Sequence, residues 1–259
     1  MNITPRQTEI LGLVRQHGFV TVESLAEHFS VTPQTIRRDI NTLCDANLLR
    51  RRHGGAALMD APLNASYDTR RVTNLEAKRR IGALVARLIP NRASVSIGIG
   101  TTPEQVALSL AHHEDLTVIT NNLNAAMALS ASGSNKIIIP GGTLRLPDRD
   151  LLGSEVDALF RSYRADFGIY GVGGIDPDGT LLDFDRTEVN AREAIRQACR
   201  RSILVADLSK LGRQAPAQGG RLTDADLVVF DDAPPAPLAA LLEQATQEVA
   251  IAGPMEAGA

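Results

Sequence analysis

The chain of 259 residues has no tryptophan, and aromatics make up only 3% of it. A platform of rings for stacking single-stranded bases is therefore not what it is built around. Cysteine is equally scarce. Cys44 and Cys199 stand far apart and in no metal-type spacing, which argues against a disulfide framework or a zinc site and fits a reducing cytoplasm. No apolar run approaches the ~20 residues of a membrane span. Residues 1–16 do not read as an apolar h-region, since they are amphipathic and carry Arg6, Glu9 and Arg15. His112 and His113 are neighbours, about 100° apart on a helix, so they cannot chelate one metal as an i, i+4 pair does. Gly98 and Gly100 open a dinucleotide-type glycine pattern, but Pro103 stands at its third glycine position and the fingerprint fails. No metal and no cofactor is expected. The chain also lacks net positive charge, its formal balance being −3. A nucleic-acid polycation is excluded, and any basic surface must be local.

One local basic surface is present. Between residues 30 and 58 lie Arg37, Arg38, Arg50, Arg51 and Arg52 against Asp39 and Asp45. Thr32 is a good helix N-cap and Pro33 suits the first helical position. Ile36, Ile40 and Leu43 then follow at i, i+4 and i+7, so one face is apolar. Gln34, Arg38 and Asn41 point away from that face, flanked by Thr35 and Arg37. Guanidiniums, amides and a hydroxyl are the groups that read base edges and grip phosphates in a major groove. Taken alone, the helix is as readily a solvated one with a core stripe.

Its neighbours decide the matter. Thr4, Pro5 and Gln7 spell a capping box with a first-turn proline, followed by the stripe Ile10, Leu11, Leu13, Val14 and a stop at Gly18. Thr21 caps a second short helix with Val22, Leu25, Ala26 and Phe29 inward, and Ser30 and Val31 turn into the third. Two short helices and a polar-faced third form a helix-turn-helix at residues 20–39. Leu48 to Leu58, folded about His53, Gly54 and Gly55, reads as a small hairpin. Arg50, Arg51, Arg52 and His53 would then flank the recognition helix as a wing; the other reading is a charged linker. Residues 59–74 lose all periodicity and read as the linker between domains. Lys78, Arg79 and Arg80 follow on a helix and read as a solvated face.

The remainder alternates. Apolar runs at 94–99, 116–120, 136–140, 166–170, 202–206 and 227–230 are separated by helical patterns such as 103–111, 123–131 and 187–199. This predicts an α/β domain with a parallel sheet covered on both faces, ligands sitting at the strands' carboxyl ends. Gly100, Thr101 and Thr102 follow one strand and open a helix, a place suited to an anion. Thr102 with Gln105 is equally a plain capping box. Asn121 and Asn122, Gly141 and Gly142, and Asp207, Ser209 and Lys210 end three further strands. Asp183, Asp185 and Glu188 are candidate acid–base groups, or as plausibly loop and helix-start residues.

Together these residues resemble the DeoR family of bacterial repressors over nearly the whole chain. Thr32, Pro33, Gln34, Thr35, Ile36, Arg37, Arg38 and Asp39, with the wing's Arg52, His53, Gly54 and Gly55, look like that family's winged helix-turn-helix. Glu76 with Lys78, Gly100 to Thr102, Thr120 to Asn122, Gly141 with Gly142, Gly174 to Asp176, and Asp207, Ser209 and Lys210 look like its sensor domain. The resemblance implies a winged helix-turn-helix over residues 1–58, a linker over 59–74, and a Rossmann-like parallel-sheet sensor over 75–259 similar to ribose-phosphate isomerase. It implies a cytoplasmic repressor that is not an enzyme. Its partners would be double-stranded operator DNA and a small phosphorylated metabolite, glycerol-3-phosphate being expected from Ile99 to Glu104, Thr120 to Asn124, Leu182 to Asp185 and Leu211 to Arg213. Binding as a homodimer or homotetramer is implied, with no membrane partner. Gly100, Thr101, Thr102 and Lys210 would hold the phosphate, and Asn121, Gly141 and Asp183 the rest of the ligand. The chain departs from the family at Gly98, where Asp or Asn is usual, and over residues 144–150, which are rich in charge and proline. The competing expectations are an isomerase-like enzyme carrying a DNA arm and a repressor answering to a different sugar phosphate.

Overall fold

Thr4 and Gln7 start the first helix by exchanging hydrogen bonds. The Thr4 hydroxyl accepts the Gln7 N–H at 3.3 Å, and the Gln7 side chain accepts the Thr4 N–H at 3.1 Å. The computed structural model describes residues 4–45, 48–52, 54–57 and 64–253, in two units, Met1–Ala65 and Ser66–Ala259. In the first, α1 (Pro5–His17) ends at Gly18, whose φ of +73° only glycine adopts without strain. After β1 (Phe19–Thr21), the Thr21 hydroxyl caps α2 (Val22–His28). A left-handed turn at Ser30 leads to α3 (Pro33–Asp45), where the Thr32 hydroxyl accepts the Thr35 N–H. Ile10, Val14, Leu25, Ile36, Ile40, Leu43 and Leu49 form the unit's core. β2 (Arg50–Arg52) and β3 (Gly55–Ala57) pair antiparallel as the expected hairpin. The structure adds a third strand, β1, along β3. A Cβ on Gly55 would lie 2.2 Å from the Val20 carbonyl oxygen, so this close pairing requires glycine.

The second unit opens with α4 (Tyr67–Val72) and α5 (Leu75–Ala86). Then come β4 (Ser94–Ile97), α6 (Thr101–Ser109), β5 (Thr117–Thr120), α7 (Leu123–Leu129), β6 (Lys136–Ile138) and the hairpin β7 (Leu144–Arg145) and β8 (Asp150–Leu151). After α8 (Ser154–Arg161) follow β9 (Ala165–Tyr170), β10 (Gly174–Ile175), β11 (Thr180–Asp183), α9 (Arg186–Gln197) and β12 (Cys199–Ala206). β13 (Ala217–Arg221), β14 (Leu227–Phe230), α10 (Ala236–Gln244) and β15 (Glu248–Ile251) complete it.

Seven strands make one sheet in the order β15-β14-β12-β9-β4-β5-β6, every pair parallel. Neighbours along a strand feed opposite faces. Val118 packs with Ile81 and Val85 of α5 and Val106 of α6, while Ile119 packs with Phe160 and Ile195 of α8 and α9. Helices therefore cover both faces, which is why the strands read as continuous apolar runs. A small antiparallel sheet, β10-β11-β13, lies apart from it.

One expectation is corrected here. Residues 59–74 do not form a linker throughout, because α4 lies inside that range and belongs to the second unit. Ser66 caps it, and Tyr67 is buried. The helix is short and has one apolar anchor, so it carries no periodicity to read.

Candidate functional sites

In the first unit, α3 turns Ile36, Ile40 and Leu43 into the core and leaves Gln34, Arg37, Arg38 and Asn41 exposed. Thr35 is half-buried and shares its hydroxyl with that of Thr32 at 3.0 Å, so it serves the cap. Asp39, a part of the resemblance but not of the expected reading face, is buried and fixes the helix to α1. It accepts the Arg6 Nε–H at 2.7 Å and the Gln7 amide at 3.0 Å. Gln7 thus uses both ends of its amide, one for the capping box and one for Asp39. Arg51 is exposed on β2. The side chains of Arg50 and Arg52, and all of His53, lie outside the described residues.

In the second unit, chain direction across the sheet reverses between β4 and β9, since β5 and β6 lie to one side of β4 and β9, β12 and β14 to the other. The crevice at the carboxyl ends of those two strands is where such folds take ligands. Gly100, with φ +113°, ends the β4 loop and starts α6 without any side-chain cap. Thr101 and Thr102 are its first two residues and both are buried. Helical geometry thus begins before Thr102, which removes the alternative of a Thr102–Gln105 capping box. Asn122 ties the neighbouring loop in, its amide donating to the Gly98 and Gly100 carbonyls at 3.3 and 3.2 Å while its oxygen caps α7. Asn121 is wholly buried. Its amide donates to the Leu151 carbonyl at 2.8 Å, and its oxygen has no hydrogen-bond partner among the described residues.

Gly171, just past β9, spaces α6 from the next loop, since a Cβ there would lie 3.3 Å from Pro103 and 3.6 Å from the Val205 carbonyl. That loop is Asp207 to Lys210. Burial, and then the nearby Arg213, pull the Lys210 ammonium down to about 7, against the attraction of Asp207. Arg70 and Lys78 press in the same direction. Lys78 and Arg213 are themselves held below their ordinary values, by burial first. Asp207 is pushed up by burial, but the Ser209 hydroxyl, Lys210, Asn74 and Lys78 bring its carboxyl below the usual carboxylate range. Arg213, Arg70 and Lys78 each repel the Lys210 ammonium, so four cations lie close enough to feel one another, a setting suited to a dianion.

The DeoR C-terminal sensor domain matches residues 73–232, and the DeoR-like helix-turn-helix domain matches residues 6–61. The chain belongs to the DeoR family. The chain is 46% identical, over 91% of its length and 93% of the relative's, to the glycerol-3-phosphate regulon repressor of Escherichia coli (strain K12). It is 43% identical, over 94% and 95%, to the protein of that name from Haemophilus influenzae. Against the HTH-type transcriptional repressor CsqR of Escherichia coli (strain K12) the identity is 34%, over 95% and 94%. Among solved structures, ribose 5-phosphate isomerase from Plasmodium falciparum aligns at a TM-score of 0.38 and 14% identity over 52% of each chain. A DeoR-type helix-turn-helix followed by a Rossmann-like sensor makes this chain a DNA-binding transcriptional repressor. Among the described residues, no helix is long and apolar enough to cross a membrane, and no cluster of His, Cys, Asp and Glu could hold a metal ion.

The other residues singled out in the DeoR sensor fall in different places. Asp183 is buried and its carboxyl is pushed up to about 6 by burial, against the pull of Arg192. It accepts the Gly173 N–H at 2.8 Å and the Arg192 Nε–H at 3.0 Å, which anchors β11 to α9 instead of presenting it to a ligand. Gly141 is exposed, and a Cβ there would come 3.9 Å from the Glu155 carboxylate, a poor neighbour for an anion. A Cβ on Gly98 would meet Ile195 Cδ1 at 3.0 Å and Tyr170 Cβ at 3.6 Å, so this position faces α9 packing. Asp185 caps α9, and Glu188 pairs with Arg145 at 2.8 Å. Lys78 is corrected outright. It is buried, not on a solvated face, and its ammonium donates to the carbonyls of Arg70 and Thr73. The sequence held no local signal for Arg70, and Arg213 stood out only through the resemblance carried by Leu211 to Arg213; it is the fold that sets both near Lys210.

Proposed function

We propose that this chain represses genes of glycerol-3-phosphate use and leaves its operator when a small phosphorylated metabolite, glycerol-3-phosphate itself, enters the crevice between β4 and β9. The observation that carries this is that Lys78 donates to the Arg70 carbonyl and Asn74 to Asp207, beside the loop of Lys210, in a chain 46% identical to a named glycerol-3-phosphate regulon repressor. Thr101 and Thr102 offer hydroxyls and first-turn amides to the phosphate, Lys210 and its neighbours offer charge, and Asn121 offers a buried acceptor to a ligand hydroxyl. In the first unit, Gln34, Arg37, Arg38 and Asn41 read base edges, and the β2 arginines with His53 neutralise phosphates. One such helix reads one half-site, so the working species is a homodimer or homotetramer in the cytoplasm.

DNA retardation with a panel of phosphorylated metabolites tests the reading. Glycerol-3-phosphate should release the operator and glycerol should not. Release by another phosphate ester alone would replace the metabolite and keep the mechanism, while release by none would end it. An isomerase needs a carboxylate poised to move a proton, and Asp183 has the raised pKa for that. Its oxygens are already engaged by Arg192 and Gly173, however, which favours the regulator. Saturable aldose–ketose turnover of a sugar phosphate would reverse that preference.

A further inference from the structure

α4 ties the walls of the crevice together. It is also the first element of the second unit, reached along the chain directly from the wing and residues 58–66. At its start, the Tyr67 hydroxyl donates to Glu104 at 2.8 Å, and Arg71 pairs with the same carboxylate at 3.1 Å. Glu104 lies in the first turn of α6, so α4 is bolted to the helix that offers Thr101 and Thr102. At its end, the buried Lys78 ammonium donates to the Arg70 and Thr73 carbonyls at 2.5 and 2.7 Å. Asn74 then donates to Asp207 at 3.0 Å, which joins α4 to the loop of Lys210. A third set of contacts runs to the turn between β7 and β8. The Arg70 guanidinium pairs with Asp148, and Arg149 reaches back to Asp68 at 3.3 Å.

Arg70 therefore sits at a junction. Its backbone holds Lys78, its guanidinium is held by Asp148, and its charge is felt at Lys78, Lys210 and Arg213. Asp148 is a single carboxylate in a short hairpin and is shared with Arg145 at 3.5 Å. A phosphate monoester brings about two charges and three acceptor oxygens, which match the planar fork of an arginine better than one shared carboxylate does. The two anions compete for one guanidinium.

We infer that Arg70 is a ligand of the effector phosphate and that binding exchanges Asp148 for the phosphate, detaching α4 from the β7–β8 turn at the point where the sensor chain leads to the DNA-binding unit. This rests on the crevice being the effector site. A metabolite shifts an equilibrium only by its differential affinity for two arrangements, and the exchange of partners at Arg70 supplies that difference. Tyr67, Arg71 and Asn74 keep α4 on α6 and on Asp207 throughout, so the movement pivots on those contacts.

The test uses the full chain, titration calorimetry with glycerol-3-phosphate, inorganic phosphate and glycerol, and retardation of an operator fragment selected by the wild type. Asp148→Asn removes the competitor, so it should bind glycerol-3-phosphate at least about threefold more tightly and hold operator less tightly. Asp68→Asn, which breaks an exposed pair between the same segments without freeing Arg70, should raise metabolite affinity by less than Asp148→Asn does. Arg70→Gln should bind glycerol-3-phosphate about tenfold or more weakly. Should that variant not fold, Arg70→Lys keeps the charge without the fork and should also bind more weakly. Asp148→Asn binding no more tightly than wild type, or Arg70→Gln and Arg70→Lys binding as wild type does, overturns the exchange alone. A wild type that binds none of the phosphate probes ends the crevice reading itself.

Discussion

Lys210 holds a charge that its surroundings disfavour. Its value of about 7 lies far below the ordinary lysine value near ~10.4, because burial removes water and Arg213 repels it. The sign of the linkage follows. The unfolded chain binds this proton more tightly than the folded one, so the sensor should gain stability as pH rises from about 7 towards ~10. A phosphate dianion beside Lys210 restores the charged form, so effector binding should take up a proton at and above pH about 7. Affinity should therefore be fullest near neutrality and fall as pH rises past it, while below ~6 the phosphate itself protonates. Calorimetry in buffers of different ionisation enthalpy measures the uptake directly. Lys210→Met should lose it together with ~1.5–3 kcal/mol of affinity, and should give a repressor that the metabolite no longer releases. Uptake persisting in Lys210→Met would move the proton to another group. On the DNA side, Arg38→Ala should weaken operator binding by ~1–3 kcal/mol and leave effector affinity alone, as checked by retardation and calorimetry on one preparation.

Elements differ in how openly they announce themselves. α1, α2 and α3 were legible because each carries its own start signal: Thr4 with Gln7, Thr21, and Thr32 with Pro33. The inner strands of the large sheet were legible because burial on both faces makes them continuously apolar. β15 was not, being a half-buried edge strand. β13 was not either. Its Gly219 and Gly220 have little strand preference, and its shape is held from outside, by Arg192 and Arg186 donating to the Gly219 and Gln218 carbonyls. α4 stayed hidden because its partners Glu104 and Asp148 lie far along the chain. The crevice was half legible for the same reason. Glycine and threonine at a strand end can be read locally, but the convergence of Arg70, Lys78 and Arg213 on Lys210 is made by topology. Asp39 shows the cost of losing one such tie. Asp39→Ala leaves the Gln7 amide without its acceptor and the Arg6 guanidinium without its carboxylate, so the first unit should lose ~1–3 kcal/mol. Its melting, followed by operator retardation as temperature rises, should come earlier while effector binding stays unchanged. Loss of effector binding in that variant would mean that the sensor does not hold its fold without the first unit.

At the scale of the whole molecule, each unit has its own core. Among the described residues, the core of Ile10, Ile36 and Leu43 draws only on the first unit, and the two cores flanking the large sheet draw only on the second. Apolar burial is the main source of cooperativity, so cores without shared members should unfold separately. Scanning calorimetry of the full chain should show two transitions. Glycerol-3-phosphate at about a hundred times its Kd should stabilise only the larger by ~2.7 kcal/mol, and operator DNA only the smaller. The regulatory claim then makes a stricter demand. If the metabolite weakens operator binding by ~1–3 kcal/mol, linkage requires operator DNA to weaken metabolite binding by the same amount. With saturating operator present, the stabilisation of the larger transition by a fixed metabolite concentration should shrink accordingly. An undiminished shift would mean the two sites do not communicate, whatever each binds. A single transition moved by either ligand would mean that the chain unfolds as one cooperative body, and separate cores would no longer account for its melting.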